Sequence, residues 1–238
     1  MKTADISGKW ALVTGASRGI GRQVSLGLAD LGCNLILHSR NLAGTEALAE
    51  ELRAKGISVH QVAAELSDQA QVDGLIADVN ALVPTVDILY NNAAVMTPYR
   101  SEWLDFPAED FRASFEVNVI SLIRLCLAFI PAMRASGWGR IINVTSGVAN
   151  QPEMTAYAAS KAAVDKFVAD TAGALIDDGI LINALDPGWL RTDLGGPHAP
   201  NAVESVLPGA LVPALYDDGT TGQIVRAQDY AGKTFAQI

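Results

Sequence analysis

Short apolar segments alternate with longer amphipathic segments along the whole chain, and this alternation limits the fold more than any other feature. The short segments are almost continuously hydrophobic, which predicts a parallel sheet buried on both faces. We expect one doubly wound α/β (Rossmann) domain over residues 1–238, with seven parallel strands and helices on both faces of the sheet. The predicted strands cover residues 9–15, 33–39, 57–66, 86–93, 139–146, 180–188 and 221–229. The predicted helices cover residues 20–31, 41–56, 68–83, 107–135, a segment ending near 178–179, and 201–218, the last interrupted by Pro208 and Pro213.

Charge and composition narrow the class of protein. The chain carries 17 Lys and Arg against 26 Asp and Glu, a formal net charge of −9, which argues against nucleic acid or an anionic membrane as a partner. Its two cysteines, Cys33 and Cys126, form no C-x-x-C pair, as expected in a reducing compartment. No apolar run reaches about 18 residues, and the three histidines lack the spacing of a metal site. We therefore expect a soluble, cytoplasmic protein without a bound metal.

A glycine-rich turn follows the first predicted strand. In TGASRGIG, the residues Gly15, Gly19 and Gly21 are spaced G-x-x-x-G-x-G between that strand and the first helix. Glycines let the backbone turn sharply and approach a phosphate, while a helix N-terminus offers free N–H groups to an anion. Turns between strands and helices often contain glycine, but this position favours a dinucleotide-binding site.

Five further segments follow in order along the chain: NNAA at 91–94, Asn118 in EVNV, Ser146 in NVTS, YAASK at 157–161, and PGWLRTDL from Pro187. Together with the glycine turn, they resemble the short-chain dehydrogenase/reductase family over nearly the whole chain. The resemblance implies an enzyme that transfers hydride between a nicotinamide cofactor and a ketone, an aldehyde or a secondary alcohol. It also implies a homodimer or homotetramer, formed through the helices that carry Asn118 and Tyr157.

The end of the second predicted strand indicates which cofactor is used. Dinucleotide-binding folds usually place an acidic residue there to bind the adenosine ribose. This chain has Ser39 at that position, followed by Arg40, and Arg18 lies in the glycine turn. A serine does not repel a 2′-phosphate, and an arginine can form paired hydrogen bonds with it. Either arginine alone could equally be a solvated surface cation, but their joint placement favours NADPH over NADH.

Tyr157 and Lys161 lie one helical turn apart, so both side chains can face one small volume. A Tyr and a Lys at this spacing are usually an ordinary helix surface, and a free tyrosine with a pKa of about 10 is a poor acid near neutrality. A nearby positive charge lowers that pKa, so we expect Lys161 to activate Tyr157. The resemblance implies that Tyr157 is the general acid in reduction and the general base in oxidation. It also implies that Ser146 binds the carbonyl oxygen and that Asn118 holds a water linking Lys161 to solvent.

The resemblance also implies which residues contact the cofactor. Glu65 stands where the family commonly has an aspartate near the adenine, and Thr192 would bind the nicotinamide carboxamide with help from the backbone of Leu190. The full expected set is Gly15, Ser17, Arg18, Gly19, Ile20, Gly21, Ser39, Arg40, Glu65, Leu66, Asn92, Ala93, Ala94, Tyr157, Lys161, Pro187, Gly188, Leu190 and Thr192.

The substrate region is expected around residues 187–216, where the short 194–201 segment takes the place of the helical lid that family members often insert. Trp189, Met154 and Tyr99 are candidate apolar walls, although each could be ordinary core packing. Thr145 is a rival to Ser146, but it should point to the opposite face of the fifth strand.

Two other functions stay open at this point. A catalytically silent NADP-binding scaffold or sensor would keep the glycine turn, but it has no need of Asn118, Ser146, Tyr157 and Lys161 together. An acyl-thioester reductase of lipid synthesis would be expected to carry a basic patch for an acidic carrier protein, and the net charge of −9 gives no hint of one. The sequence does not identify the substrate.

Overall fold

Seven parallel strands form one sheet, as the alternation predicts. The computed structural model describes residues 3–234 and 237. The strands are β1 (Trp10–Val13), β2 (Asn34–Ser39), β3 (Val59–Ala63), β4 (Ile88–Asn91), β5 (Gly139–Val144), β6 (Ile180–Asp186) and β7 (Ile224–Arg226). They lie in the order β3-β2-β1-β4-β5-β6-β7, and every neighbouring pair is parallel. The doubly wound architecture is therefore confirmed, with each strand in its expected place.

Helices cover both faces of this sheet. They are α1 (Gly19–Asp30), α2 (Glu46–Arg53), α3 (Gln69–Leu82), α4 (Ala108–Phe115), α5 (Leu122–Ser136), α6 (Thr155–Leu175) and α7 (Val212–Leu215). Successive strand residues point to opposite faces. Ala11 and Val13 accordingly join the buried cluster under α1 and α2, while Leu12 joins the cluster under α3, α5 and α6. Each face of the sheet thus has its own hydrophobic core.

A π-helical segment, Glu116–Ser121, joins α4 to α5. The three segments together cover residues 108–136, close to the predicted 107–135. By length and composition this continuous helix could cross a membrane, since its most apolar window has a mean hydropathy of 1.8, but half of that window is buried within the protein. The core helix of a soluble protein has the same composition.

The prediction of one helix over 201–218 is largely wrong. Val203–Val206 and Gly209–Leu211 are single 3₁₀ turns, and only Val212–Leu215 is α-helical. Pro208 lies between the two turns, where its missing N–H and fixed φ prevent a helix from continuing. Pro213, in contrast, is tolerated because it lies in the first turn of α7.

The strand order reverses at β1 and β4, and this reversal creates the site. From β1 the chain moves outward to β2 and β3, then returns to β4 on the other side of β1. In open parallel sheets, ligands bind in the crevice that such a reversal leaves at the carboxyl ends of the strands. The glycine turn, Asn92, Ser146 and the segment from Pro187 all follow strands at this edge.

Candidate active site

The glycine turn packs tightly against the segment that follows β4. Gly15 has a φ of +66°, and a Cβ on Gly21 would overlap the Gly15 carbonyl and lie 2.7 Å from Asn92 Nδ2. Asn92 Nδ2 donates to the carbonyl oxygens of Thr14 at 2.9 Å and Gly15 at 3.2 Å. The Thr14 hydroxyl in turn accepts the N–H groups of Asn92 and Ala93. These contacts fix the turn as a bare backbone surface at the carboxyl edge of the sheet.

The N-terminus of α1 is suited to an anion. Within the described chain, the Arg18 side chain forms no cap at this N-terminus, and the first turn of α1 holds no acidic residue. Its unpaired N–H groups and the positive end of the helix dipole therefore favour a phosphate. Ser17, Gly19 and Ile20 border this N-terminus, so the turn fits the pyrophosphate of a dinucleotide.

Ser39 and Arg40 lie at the expected adenosine side, at the end of β2. Ser39 is buried, and its hydroxyl donates to the Asn41 carbonyl at 2.5 Å, while Arg40 is exposed. Arg18, the second predicted phosphate-binding arginine, forms an ion pair. Its guanidinium lies 2.9 Å from the carboxylate of Asp193, and the two side chains are 67% and 70% exposed. Such an exposed ion pair is weak. Arg18 can therefore exchange this carboxylate for another anion.

The predicted adenine segment is tied to the long helix. Glu65 is half-buried, and its carboxylate accepts the Ser67 N–H at 3.3 Å. Leu66 is buried, and its carbonyl accepts the Ser121 hydroxyl at 2.5 Å. Ser121 ends the π-helical segment that contains Asn118. The π-helical segment thus contacts the segment predicted to bind the adenine and also carries Asn118.

His38 contacts the glycine turn, although no pattern in the sequence indicates this position. It is buried; Nδ1 accepts the Gly15 N–H at 3.3 Å, and Nε2 lies 3.1 Å from the Ala64 carbonyl. The first bond needs an unprotonated Nδ1, which assigns the single proton to Nε2. Burial lowers the pKa of His38 and so favours this neutral form. A lone histidine in a strand carries no sequence signal for such a role.

Ser146, Tyr157 and Lys161 come together beyond the carboxyl end of β5. The Ser146 hydroxyl lies near enough to Tyr157 to oppose in part the rise that burial causes in the pKa of the tyrosine. Lys161 Nζ lies 5.8 Å from the centroid of the Tyr157 ring and donates to the Val144 carbonyl at 2.8 Å. Thr145, the rival hydroxyl, points elsewhere, with its Oγ1 3.4 Å from the Lys161 carbonyl. Ser146 is therefore the hydroxyl that faces Tyr157.

Burial dominates the electrostatics of this trio. It raises the pKa of Tyr157, and Asp186 raises it further, against the opposing effect of Ser146. It also lowers the pKa of Lys161 to about 8, against the opposing effect of Asp165. In the chain by itself, desolvation therefore sets the direction of the Tyr157 pKa, and the expectation that Lys161 lowers this pKa stays a prediction.

Asn118 is fully buried in the π-helical segment and cross-links two parts of the site. Its Oδ1 accepts the Val95 N–H at 2.9 Å, and its Nδ2 donates to the Val95 carbonyl at 2.9 Å and to Ser160 Oγ at 3.0 Å. The Ser160 hydroxyl donates to the Tyr157 carbonyl at 2.7 Å. Asn118 thus fixes the chain after Ala94 against α6, the helix that carries Tyr157 and Lys161.

The segment after β6 closes the other side. Asp186 accepts the Gly188 N–H at 2.9 Å, and Pro187 accepts a hydrogen bond from Gln228 at 2.9 Å. Leu190 is buried, and the Thr192 methyl lies 3.5 Å from the place where a Cβ on Gly19 would be. Asp186 was not predicted from the sequence, in which its position directly before Pro187 is the available signal.

The three candidate walls differ in exposure. Tyr99 and Trp189 are 63% and 59% exposed, so the alternative that they are core residues is wrong, while Met154 is half-buried. Among the described residues, no group of three His, Cys, Asp or Glu side chains could hold a metal ion.

The chain is similar to known proteins of one enzyme family over most of its length. Residues 9–202 match the family model described as short chain dehydrogenase. The 3-oxoacyl-[acyl-carrier-protein] reductase FabG of Pseudomonas aeruginosa is 31% identical over 234 residues, which are 95% of this chain and 88% of that protein. The crystal structure of a 3-oxoacyl (acyl-carrier-protein) reductase from Agrobacterium tumefaciens with NADP bound has a TM-score of 0.83 at 29% identity and covers 93% of each chain. A 7α-hydroxysteroid dehydrogenase complexed with NADH and 7-oxo glycochenodeoxycholic acid has a TM-score of 0.85 at 26% identity and covers 96% of each chain.

Proposed function

The chain belongs to the short-chain dehydrogenase/reductase family and is an NAD(P)-dependent oxidoreductase, and on that premise we propose that it is an NADPH-dependent reductase of ketones and aldehydes that also oxidises secondary alcohols. The observation that carries the proposal is the convergence of Ser146, Tyr157 and Lys161 at the sheet edge that holds the glycine turn. A proton donor, a hydroxyl and a cation in one small volume are what carbonyl reduction requires.

The bound nicotinamide supplies or accepts the hydride, and the chain handles the proton. Tyr157 donates its phenolic proton to the carbonyl oxygen as the alkoxide forms, and it takes the proton back in alcohol oxidation. Because the pKa of Tyr157 is raised, its protonated form predominates, which suits reduction. The Ser146 hydroxyl donates to the same carbonyl oxygen and orients it. Lys161 places a positive charge beside the pair, and Asn118 holds the adjoining segment in position.

The choice of NADPH rests on the adenosine side. Ser39 leaves that position without a carboxylate, and Arg18 and Arg40 supply two exposed cations at the ends of the glycine turn and β2. An arginine forms paired, charge-assisted hydrogen bonds with a phosphate. Relatives with bound NADP and with bound NADH are both known, so the arginines and not the fold carry this choice.

The test is to follow the loss of reduced-cofactor absorbance with NADPH and with NADH across a panel of ketones and aldehydes. We expect turnover with NADPH that falls by about a hundredfold or more in Tyr157→Phe, because proton transfer by a positioned side chain contributes about 10²–10⁴ in rate. The Kd for NADPH should change little in that variant. Preference for NADH would contradict the role of the arginines without affecting the assignment of Tyr157.

The same experiment separates the main alternative. A catalytically silent NADP-binding scaffold would bind NADPH in wild type and in Tyr157→Phe but turn over nothing with either cofactor. The buried hydrogen bonds of Asn118 and the buried Lys161 ammonium favour an enzyme, since a scaffold gains nothing from a charged group that burial destabilises.

We also infer a soluble, cytoplasmic homodimer or homotetramer formed through the helices that carry Asn118 and Tyr157. Ile120 and Leu127 support this inference, because both are large apolar side chains, 43% and 60% exposed, on the 108–136 helix. Light scattering after gel filtration should give a multimer for wild type and a smaller species for Leu127→Glu. A wild-type monomer would contradict the inference.

A further inference from the structure

Two short stretches flank the catalytic trio and expose an unusual amount of apolar surface. On one side, residues 95–106 expose Tyr99, Trp103 at 51% and Leu104 at 79%. On the other side, Trp189 and Leu194 are exposed in the segment after β6. We name these five side chains the apolar rim. Clustered exposed apolar side chains on a soluble protein mark a binding surface more often than chance.

Hydrogen bonds on one side and close packing on the other fix the two stretches that carry the apolar rim next to segments that hold Ser146 and Tyr157. The 95–106 segment begins at Val95, which is bonded twice to Asn118, and its Arg100 N–H donates to the Glu153 carbonyl at 3.1 Å, four residues before Tyr157. On the other side, a Cβ on Gly147, the residue after Ser146, would lie 2.7 Å from the carboxylate of Asp186, three residues before Trp189. The two stretches that carry the apolar rim therefore adjoin the segments that hold Tyr157 and Ser146.

Trp189 presents a ring face to solvent without a free polar group. The indole N–H of Trp189 is already used, since it donates to the Gly195 carbonyl at 2.7 Å. The ring is thus held in place, and its exposed surface offers only stacking and apolar contact. A sugar or polyol would find no hydrogen-bonding partner in this side chain. An apolar ring system needs none and can stack on the exposed face.

The charges around the rim disfavour an anion. The arginine on the first side, Arg100, is bound to both carboxylate oxygens of Asp110 at 2.9 and 3.2 Å. The arginine on the second side, Arg191, donates to the backbone carbonyls of Ala199 and Pro200 at 3.1 and 2.8 Å. Both cations are therefore engaged in the fold.

Carboxylates remain exposed on the same stretches. Glu102 and Asp105 lie beside Trp103, and Glu153 is half-exposed at the turn before α6. With a net charge of −9 on the chain, the local and the global field both repel a negatively charged substrate.

From these contacts we propose that the substrate is an uncharged, ring-bearing ketone, or the matching secondary alcohol, whose apolar face lies on the rim, and that the site rejects carboxylate- and phosphate-bearing analogues. The proposal rests on the proposed function, because it names the substrate class of the same site. The relevant interaction is apolar contact with Trp189 on one side and with Trp103 and Leu104 on the other.

The experiment uses three ketones that share one ring: 4-tert-butylcyclohexanone, 4-carboxycyclohexanone and 4-trimethylammoniocyclohexanone. The saturated ring separates each substituent from the carbonyl, so the intrinsic reactivities stay similar. Binding is measured first, by tryptophan fluorescence on the NADP⁺ complex of Tyr157→Phe, which needs no turnover. Values of kcat/KM with NADPH on wild type follow.

We expect the neutral ketone to bind at least about tenfold more tightly than the carboxylate, with Trp189→Ala losing about five- to tenfold for the neutral ketone alone. Leu104→Ala should lose several-fold, while its matched control Leu82→Ala, an exposed leucine on α3 at the opposite edge of the sheet, should not. The Kd for NADPH should stay unchanged in all three variants.

Equal or tighter binding of the carboxylate would overturn the proposal, and so would a rim variant that alters the oligomeric state in place of ketone affinity. Absence of turnover together with the expected binding order would count against the proposed function while supporting the substrate class. The two failures are therefore distinguishable.

Discussion

Gly21→Ala is the substitution whose effect follows most directly from the geometry of the glycine turn. Gly21 is the third residue of α1, and a Cβ there would overlap the carbonyl oxygen of Gly15 and lie 2.9 Å from its carbonyl carbon. The obstacle is backbone and cannot rotate away, so the helix or the turn must shift by roughly 1 Å to restore normal contact distances of about 3.5 Å.

Such a shift would break the 3.2 Å hydrogen bond from Asn92 to the Gly15 carbonyl. Overpacking of this kind costs about 1–3 kcal/mol, while the better helix propensity of alanine returns at most about 1 kcal/mol. Because the turn is the proposed pyrophosphate site, we expect the Kd for NADPH to rise by about tenfold or more, at about 1.4 kcal/mol per factor of ten. We also expect a lower Tm.

The chain supplies its own control. Gly74 lies inside α3, and a Cβ there would meet no described atom within 4 Å. Gly74→Ala should therefore raise Tm slightly and leave the Kd for NADPH unchanged, because only the helix-propensity effect acts. Calorimetry of cofactor binding and thermal unfolding on both variants make the comparison. If Gly21→Ala binds NADPH within twofold of wild type and keeps its Tm, the steric reasoning fails.

Two further predictions concern charged residues. Burial lowers the pKa of Lys161 from 10.5 to about 8, so the unfolded chain holds this proton more tightly than the folded chain does. The unfolding free energy of wild type relative to Lys161→Met should therefore be constant below pH 8 and rise by about 2–3 kcal/mol by pH 10. Urea denaturation at pH 7 and pH 10 measures this difference, and no change between the two would contradict it. Asp193→Asn should free Arg18 and tighten NADPH binding by up to about fivefold, an effect that 1 M salt should abolish. An equal gain for NADH would show that Arg18 does not contact the 2′-phosphate.

Much of the fold could be predicted because its signals are local. The continuous hydrophobicity of segments such as Asn34–Ser39 and Ile180–Asp186 reports burial on both faces, and burial on both faces requires a parallel sheet with helices above and below. The glycine spacing and the Tyr157–Lys161 spacing are local in the same sense, since the turn and the helix each bring their own residues together. The prediction of a helix over 201–218 was wrong for a reason that is also local, because Pro208 interrupts the helix that the apolar pattern favours.

Only the tertiary structure decided how separate segments act on one another. The bond from Gly15 to His38, the pairing of Arg18 with Asp193 and the bonds from Asn118 to Val95 each join residues far apart in the chain, and no spacing in the sequence encodes them. The direction of the Tyr157 pKa belongs to the same class. The sequence placed a cation one turn away, but the depth of burial decided which effect prevails, because desolvation depends on every segment that packs around the phenol.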